Sequence, residues 1–353
     1  MENYFTTAQV AEHLHVSSAR VRKLIDDGRL PAEKHGRDYI FRRDDVERFA
    51  RQGRKTVGRP KHQTRTDETI GDEVSASSPA ASIALGGGQL HIGDCLKILP
   101  SLEPASAQVI IADPPYFQVL DETWDRQWRT PDDYLDFTMR WVAQCRRVLR
   151  DDGLLYIFGQ PGKREHIWLH ACSMLSKAMA FHDLIIWDRA VGYNARGDSF
   201  TPQYEMILAL RASHDAKPYF DKDAVRIAYS EQTIQTYLRD RRYRDKDARE
   251  RHLRRGKYAT NILRVPSLKG SSKEKVGHPS QKPLALIDCL VRSSSRQGDV
   301  VLDPFLGSGT TAESAQRNRR RWIGIECDRD YAAVAKRRIE ALGGVERRAG
   351  ARF

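Results

Sequence analysis

A chain of 353 residues has room for one large domain and one small one. Its 59 lysines and arginines against 47 aspartates and glutamates leave a formal charge of +12, a balance that favours a polyanionic partner. No apolar run approaches the roughly 20 residues that span a bilayer, Met1-Glu2-Asn3-Tyr4 lacks the basic start of a signal peptide, and the five cysteines form no Cys-x-x-Cys pair. This usage argues against a disulfide framework and a zinc site, so no membrane and no metal are expected and a reducing cytoplasm is the expected location.

Residues 1–50 read as a separate small module. Thr6-Thr7 can cap a helix carrying Val10, Ala11 and Leu14, and Ser17-Ser18 can cap a second with Val21, Leu24 and Ile25 on one face. Arg20, Arg22 and Lys23 surround that face, and the helix ends at Asp27-Gly28. Lys34 to Phe41, with Arg37 at its tip, predicts a tight hairpin, and Arg43 to Phe49 a closing helix. This pattern resembles the winged helix-turn-helix of the excisionase and MerR-like families over residues 4–50. The resemblance implies a second helix in the major groove and a hairpin on the backbone or minor groove; a three-helix protein-binding module is the alternative.

Residues 51–85 change character. Arg51 to Arg65 is basic, and Thr66 to Ser82 is rich in Ser, Thr, Ala and acids without periodicity, so a flexible linker is expected. Within it, Gly58-Arg59-Pro60-Lys61 resembles the core of an AT-hook, whose arginine enters a narrow minor groove.

From residue 86 to 345 strands and helices alternate, and 346–353 read as a tail. Gln89 to Ile92, Val109 to Ala112, Leu154 to Phe158, Val300 to Leu302 and Trp322 to Ile325 are short apolar runs of the kind that form buried parallel strands. Helices are expected from Pro131 to Leu149 and up to Met174, and Leu184 to Trp187 with Met206 to Leu210 form a strand pair. Between about 217 and 277 the alternation fades. Arg239 to Lys257, dense in arginine (Arg241, Arg242, Arg244, Arg254, Arg255), predicts a charged insertion that contacts DNA rather than a merely solvated face. The whole reads as an open α/β sheet with helices on both faces.

Two loops carry chemistry, each directly after an apolar run at the carboxyl edge of such a sheet, where ligands bind. Gly307-Ser308-Gly309 before Thr310-Thr311 lets the backbone approach a ligand and presents free helix amides. Glu326, about 20 residues further on, can accept hydrogen bonds from both ribose hydroxyls of a nucleoside cofactor. The missing third glycine makes a nicotinamide enzyme the poorer fit. Asp113-Pro114-Pro115-Tyr116 addresses an exocyclic base amine, a poor nucleophile because its lone pair is delocalised into the ring. Asp113 and the Pro114 carbonyl can accept its two N–H bonds, Pro115 stiffens the loop, and Tyr116 offers a stacking face for a base rotated out of its duplex.

With these motifs in this order, the chain resembles the S-adenosylmethionine-dependent DNA amino-methyltransferases of the β arrangement, over about residues 88–342. Gly93-Asp94-Cys95-Leu96, Asp113 to Tyr116, His278-Pro279-Ser280-Gln281-Lys282-Pro283 and Asp303-Pro304-Phe305-Leu306-Gly307 to Thr311 carry the resemblance, with Glu326 beyond. It implies a Rossmann-like S-adenosylmethionine methyltransferase sheet and a cofactor site of Asp94, Lys282, Asp303, Phe305, Gly307, Gly309, Thr310, Thr311 and Glu326. Within that site Asp94 meets the cofactor's adenine and Lys282 its carboxylate. Phe117 stands where many relatives have Asn.

The implied activity is site-specific methylation of adenine N6 in double-stranded DNA. Cytosine N4 is the alternative, although relatives of that kind more often begin the tetrapeptide with Ser. RNA and protein-glutamine enzymes more often begin it with Asn. A cytosine C5 enzyme needs a Pro-Cys pair, and no cysteine here follows a proline. A DNA-binding regulator with a dead methyltransferase fold would show decay at Asp113, Tyr116 or the glycines, and none is seen. A homodimer and a cognate restriction endonuclease stay open as partners.

Overall fold

The structure, a computed structural model, describes residues 4–14, 21, 24–25, 30–35, 38–53, 81–117, 127–160, 166–192, 197, 199–242 and 244–349. The chain divides into two compact units, Met1–Ala76 and Ser77–Phe353.

In the first unit, β1 (Tyr4–Thr6), β2 (Glu33–His35) and β3 (Asp38–Arg42) form an antiparallel sheet in the order β1-β3-β2. The expected hairpin is β2–β3, with His35 opposite Asp38. The strand β1 was not expected, since three residues carry no readable period; it is held by pairing Phe5 with Phe41 on β3. The helix Thr7–His13 starts as the sequence suggests. Gln9 N–H donates to Thr6 Oγ1 (3.4 Å) while Thr6 N–H donates to Gln9 Oε1 (2.9 Å), a reciprocal cap. Val10, Ala11, Val21, Leu24, Leu30, Phe41 and Val46 close the core, Val46 coming from the helix Arg43–Gly53. Arg20, Arg22, Lys23, Arg37 and Arg59, and the expected turn at Asp27-Gly28, lie outside the described residues.

The second unit is built on nine strands: β4 (Ala81–Leu85), β5 (Gly88–Ile92), β6 (Ala107–Ala112), β7 (Leu149–Gly159), β8 (Ala180–Asp188), β9 (Tyr204–Arg211), β10 (Ile262–Arg264), β11 (Val300–Asp303) and β12 (Arg321–Glu326). Their order is β10-β8-β9-β7-β6-β11-β12-β5-β4. β7, β6, β11, β12 and β5 run parallel, and β9 lies antiparallel to both β7 and β8. Alternate residues of β6 point to opposite faces. Val109 and Ile111 meet Leu286, Leu290, Ala312 and Ile339 on one side, while Ile110 and Ala112 meet Trp141, Val142, Trp168 and Leu175 on the other. The helices that supply these residues (Pro131–Val148, Ile167–Ala178, Leu284–Ser294, Thr310–Arg317 and Arg329–Ala349) therefore cover both faces. This is the Rossmann-like layering expected.

Three boundaries differ from expectation. Residues 81–85, assigned to the linker on composition, form β4. A hairpin turn at Gly86-Gly87 lets the stretch pair with β5 and pack Ile83 and Leu85 against the core. Residues 217–277 are not wholly an insertion, because β10 lies within them and extends the sheet edge parallel to β8. Two short helices lie there, Glu231–Leu238 just before the charged stretch and Lys246–Arg254 within it, each begun by a side-chain cap, Ser230 and Asp245. The last helix runs to Ala349, past the expected start of the tail at 346.

Candidate active site

Because β6 and β11 are parallel neighbours, with Leu302 beside Ile110, the loops that leave them open at the same edge of the sheet. A cavity of about 880 Å³ lies there, lined by Asp113 to Tyr116, Asp303 to Ser308, His278 to Lys282, Asp94 and Glu326. The two motifs met separately in the chain thus face one space.

On the glycine-loop side the backbone is shaped for close approach. Gly307 (φ 51°) and Gly309 (φ 81°) hold left-handed conformations that favour glycine. A Cβ at Gly307 would come 3.1 Å from His278 Nε2, and one at Gly309 would come 3.0 Å from Ala335 Cβ. The helix Thr310–Arg317 begins directly after, with Gly309 as its cap. Glu326 closes β12 and binds this loop: Gly307 N–H donates to Oε2 (2.7 Å) and Asp328 N–H donates to Oε1 (2.8 Å). Burial raises its carboxyl pKa, and those two amides work against the rise. Asp303 is buried too, and burial pushes its pKa up to about 7 despite the Thr311 hydroxyl and the Phe305 amide, which donates at 2.9 Å. Phe305 packs edge-on against Trp141 with ring centres 5.1 Å apart. Thr310 Oγ1 donates to the Lys282 carbonyl (3.3 Å) and accepts from the buried Arg338 (2.8 Å). Asp94 accepts from Leu96 N–H (2.9 Å) and caps the short helix Cys95–Ile98 at the cavity wall.

The other side is a charged network. Lys282 Nζ donates to Asp113 Oδ2 at 2.6 Å and lies 3.5 Å from Glu205 Oε2. The Tyr116 hydroxyl reaches Asp113 Oδ1 at 2.9 Å and Glu205 Oε2 at 3.3 Å. Arg189 Nη1 donates to Glu205 Oε1 at 3.4 Å. Burial depresses the Lys282 ammonium, but Asp113 and Glu205 outweigh it and its pKa stands above the usual lysine value. The Tyr116 pKa is driven well up by burial and by the same two carboxylates, so its hydroxyl stays a donor. His278, with its pKa lowered to about 4 by burial and by Lys282, is neutral at pH 7.

The structure brings together Asp94, the Asp113–Tyr116 loop, Lys282 and the Asp303–Thr311 loop with Glu326 around one cavity. It pairs Lys282 with Asp113 and Glu205, whereas the resemblance directed it to the cofactor's carboxylate. Sequence reasoning missed Glu205, Arg189, Phe158 and Trp187, which also line the space. Glu205 carried one weak signal, an acid leading straight into the apolar run Met206 to Leu210; only the placement of β9 beside β7 turns it inward. Arg241 and Arg244 are exposed. Arg242 pairs with Asp240, Arg254 with Glu231 and Glu250, and Arg255 with Asp223.

Comparison with known proteins agrees with this geometry. A family model described as DNA methylase, of the N6/N4 methyltransferase group, matches residues 107–337. The chain belongs to that family. It is an S-adenosylmethionine-dependent DNA methyltransferase of the N6/N4 family, with a helix-turn-helix domain matched over residues 4–54. The Type II methyltransferase M.HpaI of Haemophilus parainfluenzae is 30% identical over 260 residues, covering 72% of this chain and 74% of that protein. The Type II methyltransferase M1.MboII of Moraxella bovis is 29% identical over 252 residues, covering 70% and 94%. The solved PvuII DNA methyltransferase (cytosine-N4-specific) superposes with a TM-score of 0.53 at 18% identity, covering 71% of this chain and 86% of that one. That likeness shows the shared fold.

The residues of this DNA methylase fit its cofactor, whose sulfonium and ammonium are both cationic. Asp94, Asp303, Glu326 and Asp328 line the cavity, while its described lining cations, Lys282 and Arg189, are each paired with a carboxylate. Among the described residues no helix is long and apolar enough to cross a membrane.

Proposed function

We propose that this DNA methyltransferase is adenine-specific and transfers a methyl group to the N6 amine of a base turned out of duplex DNA. The observation that carries the reading is Asp113: a carboxylate at the first position of the tetrapeptide, directly after β6, facing the glycine-loop cavity. Asp113 and the Pro114 carbonyl accept the two amine N–H bonds and draw the nitrogen toward a tetrahedral state. The Tyr116 ring stacks on the base, whose extrusion from the duplex costs a few kcal/mol. Pro115 stiffens the loop between them. Bound S-adenosylmethionine supplies an electrophilic methyl group on a sulfonium.

The cofactor is held by Glu326 and Asp94 at its nucleoside, and by Asp303, Phe305, Gly307, Gly309, Thr310 and Thr311 along the loop and helix start. Lys282 serves the target side, through Asp113. Arg20, Arg22, Lys23, Arg37 and Arg59 contact DNA from the N-terminal region, and Arg241, Arg242, Arg244, Arg254 and Arg255 from the second unit. The ion pairs of Arg242, Arg254 and Arg255 lie at the surface, where such pairs contribute little and can be exchanged for phosphate. Sequencing with modified-base detection on DNA from cells expressing the protein tests the reading. N6-methyladenine at one recurring sequence is expected, and N4-methylcytosine there would replace the adenine reading.

A further inference from the structure

Glu205 has no part in that reading, yet it is buried in the same cavity at the start of β9. A buried carboxylate is costly unless paired and hydrogen-bonded. Its partners are specific: Oε1 accepts from Arg189, and Oε2 lies within 3.5 Å of both the Tyr116 hydroxyl and Lys282 Nζ. Those are the same two donors that occupy Asp113, the hydroxyl on Oδ1 and the ammonium on Oδ2.

A phenol has one hydrogen to give, and here two carboxylates stand within reach of it. While it is spent on Asp113, that carboxylate holds a donor on each oxygen and is a poorer acceptor for a third. An incoming base amine is itself a donor. We propose that Glu205 is a positioning residue for methyl transfer: it takes the Tyr116 hydroxyl hydrogen when the target amine arrives, leaving Asp113 Oδ1 to the amine. No heavy atom has to move far, because the hydroxyl oxygen is already 2.9 Å from one acceptor and 3.3 Å from the other. Every buried polar group keeps a partner before and after the exchange. Lys282 stays on Asp113 Oδ2 throughout and fixes the carboxylate's orientation. The proposal rests on the reading that Asp113 accepts the target amine.

A rival account is charge balance alone, in which Glu205 offsets Lys282 and Arg189. The two separate in a double-mutant cycle with Tyr116→Phe, which removes the hydroxyl and therefore the need for a second acceptor. Single-turnover methyl transfer is measured with tritium-labelled S-adenosylmethionine and chromosomal DNA from cells lacking the protein. Glu205→Met, of similar volume but without an acceptor, is expected to slow transfer by about tenfold or more with Tyr116 present, and by under about threefold in the Tyr116→Phe background. Glu205→Gln keeps an acceptor and loses the charge, so it is expected to be clearly milder than Glu205→Met. Equal losses from Glu205→Met in both backgrounds would overturn the exchange. If Glu205→Met does not fold, Glu205→Gln decides: a loss of about tenfold in both backgrounds sinks the proposal, and a small loss present only with Tyr116 sustains it. Asp113→Ala is run alongside. Substantial turnover there overturns the Asp113 reading itself, whereas a dead Asp113→Ala with equal Glu205 losses overturns the exchange only.

Discussion

At the scale of single residues, the carboxylates in the cavity are set apart by their neighbours. Asp113 has donors on both oxygens and is the residue proposed to meet the target amine. Glu326 is tied to the backbone amides of Gly307 and Asp328 and is proposed to hold the cofactor. Chemistry and cofactor binding are therefore expected to separate by mutation. Asp113→Ala loses methyl transfer while S-adenosylmethionine binding stays near normal, and Glu326→Ala weakens binding by ~1–3 kcal/mol, the cost of losing a charged acceptor. Calorimetry on both variants reads the difference. Tyr116 gives a graded expectation, since the proposed roles use its ring for stacking and its hydroxyl for the exchange: Tyr116→Ala loses more steady-state activity than Tyr116→Phe, and equal damage would refute the stacking role. Asp303 gives a pH dependence. Its folded pKa, about 7, lies above the ordinary aspartate value of 3.8, so the folded state holds this proton more tightly than the unfolded one. Its stabilising contribution is full below about pH 4 and is lost as pH rises to about 7. Relative to wild type, Asp303→Asn should gain melting temperature at pH 8 and not at pH 4; the same shift at both would count against a buried, proton-holding Asp303.

At the scale of elements, the glycine loop shows why local geometry cannot be traded. Gly309 combines a φ of 81° with a backbone neighbour, Ala335 Cα, at 3.1 Å from where a Cβ would sit. Gly309→Ala therefore carries both a left-handed backbone cost of about 1 kcal/mol and a packing cost against a helix that cannot step aside. Lower thermal stability and weaker cofactor binding are expected together. The helix Pro131–Val148 is held at its start by a reciprocal cap, Asp133 N–H to Thr130 Oγ1 (3.1 Å) and Thr130 N–H to Asp133 Oδ2 (3.0 Å). Thr130→Ala is expected to cost ~1 kcal/mol in denaturant unfolding with no change in the modified sequence.

At the scale of the whole molecule, the chain joins a helix-turn-helix unit to a nine-stranded methyltransferase sheet. The catalytic sheet begins at β4, so a protein starting at Ser77 keeps the β4–β5 hairpin. One starting at Gly86 loses it and uncovers the core beside Ile83 and Leu85. The longer form is expected to melt at the higher temperature. It is also expected to modify the same DNA sequence as the full chain, with weaker DNA binding and a flatter salt dependence, about 0.9 units of slope lost per phosphate contact removed. Methylome mapping and binding at two salt concentrations check this. An active truncated enzyme with a changed sequence preference would show that residues 1–76 choose the site.

The sequence by itself determined the layered α/β class, the order of the two motif loops and the glycine turn. Buried parallel strands read as unbroken apolar runs, and Pro, Gly and Asp mark where they stop. It placed Asp113, Asp303 and Glu326 at strand ends for the same reason. It could not show β1, β4 or β10, three to five residues long, whose stability comes from a partner strand rather than from their own pattern. Nor could it show that Lys282 meets Asp113, or that Glu205 meets both Lys282 and Tyr116. Those contacts join residues 77 to 169 positions apart, and no local period or propensity encodes them. Only the tertiary structure decided them: β9 packed antiparallel beside β7 carries Glu205 inward, and low-dielectric burial then obliges each charge to find its opposite.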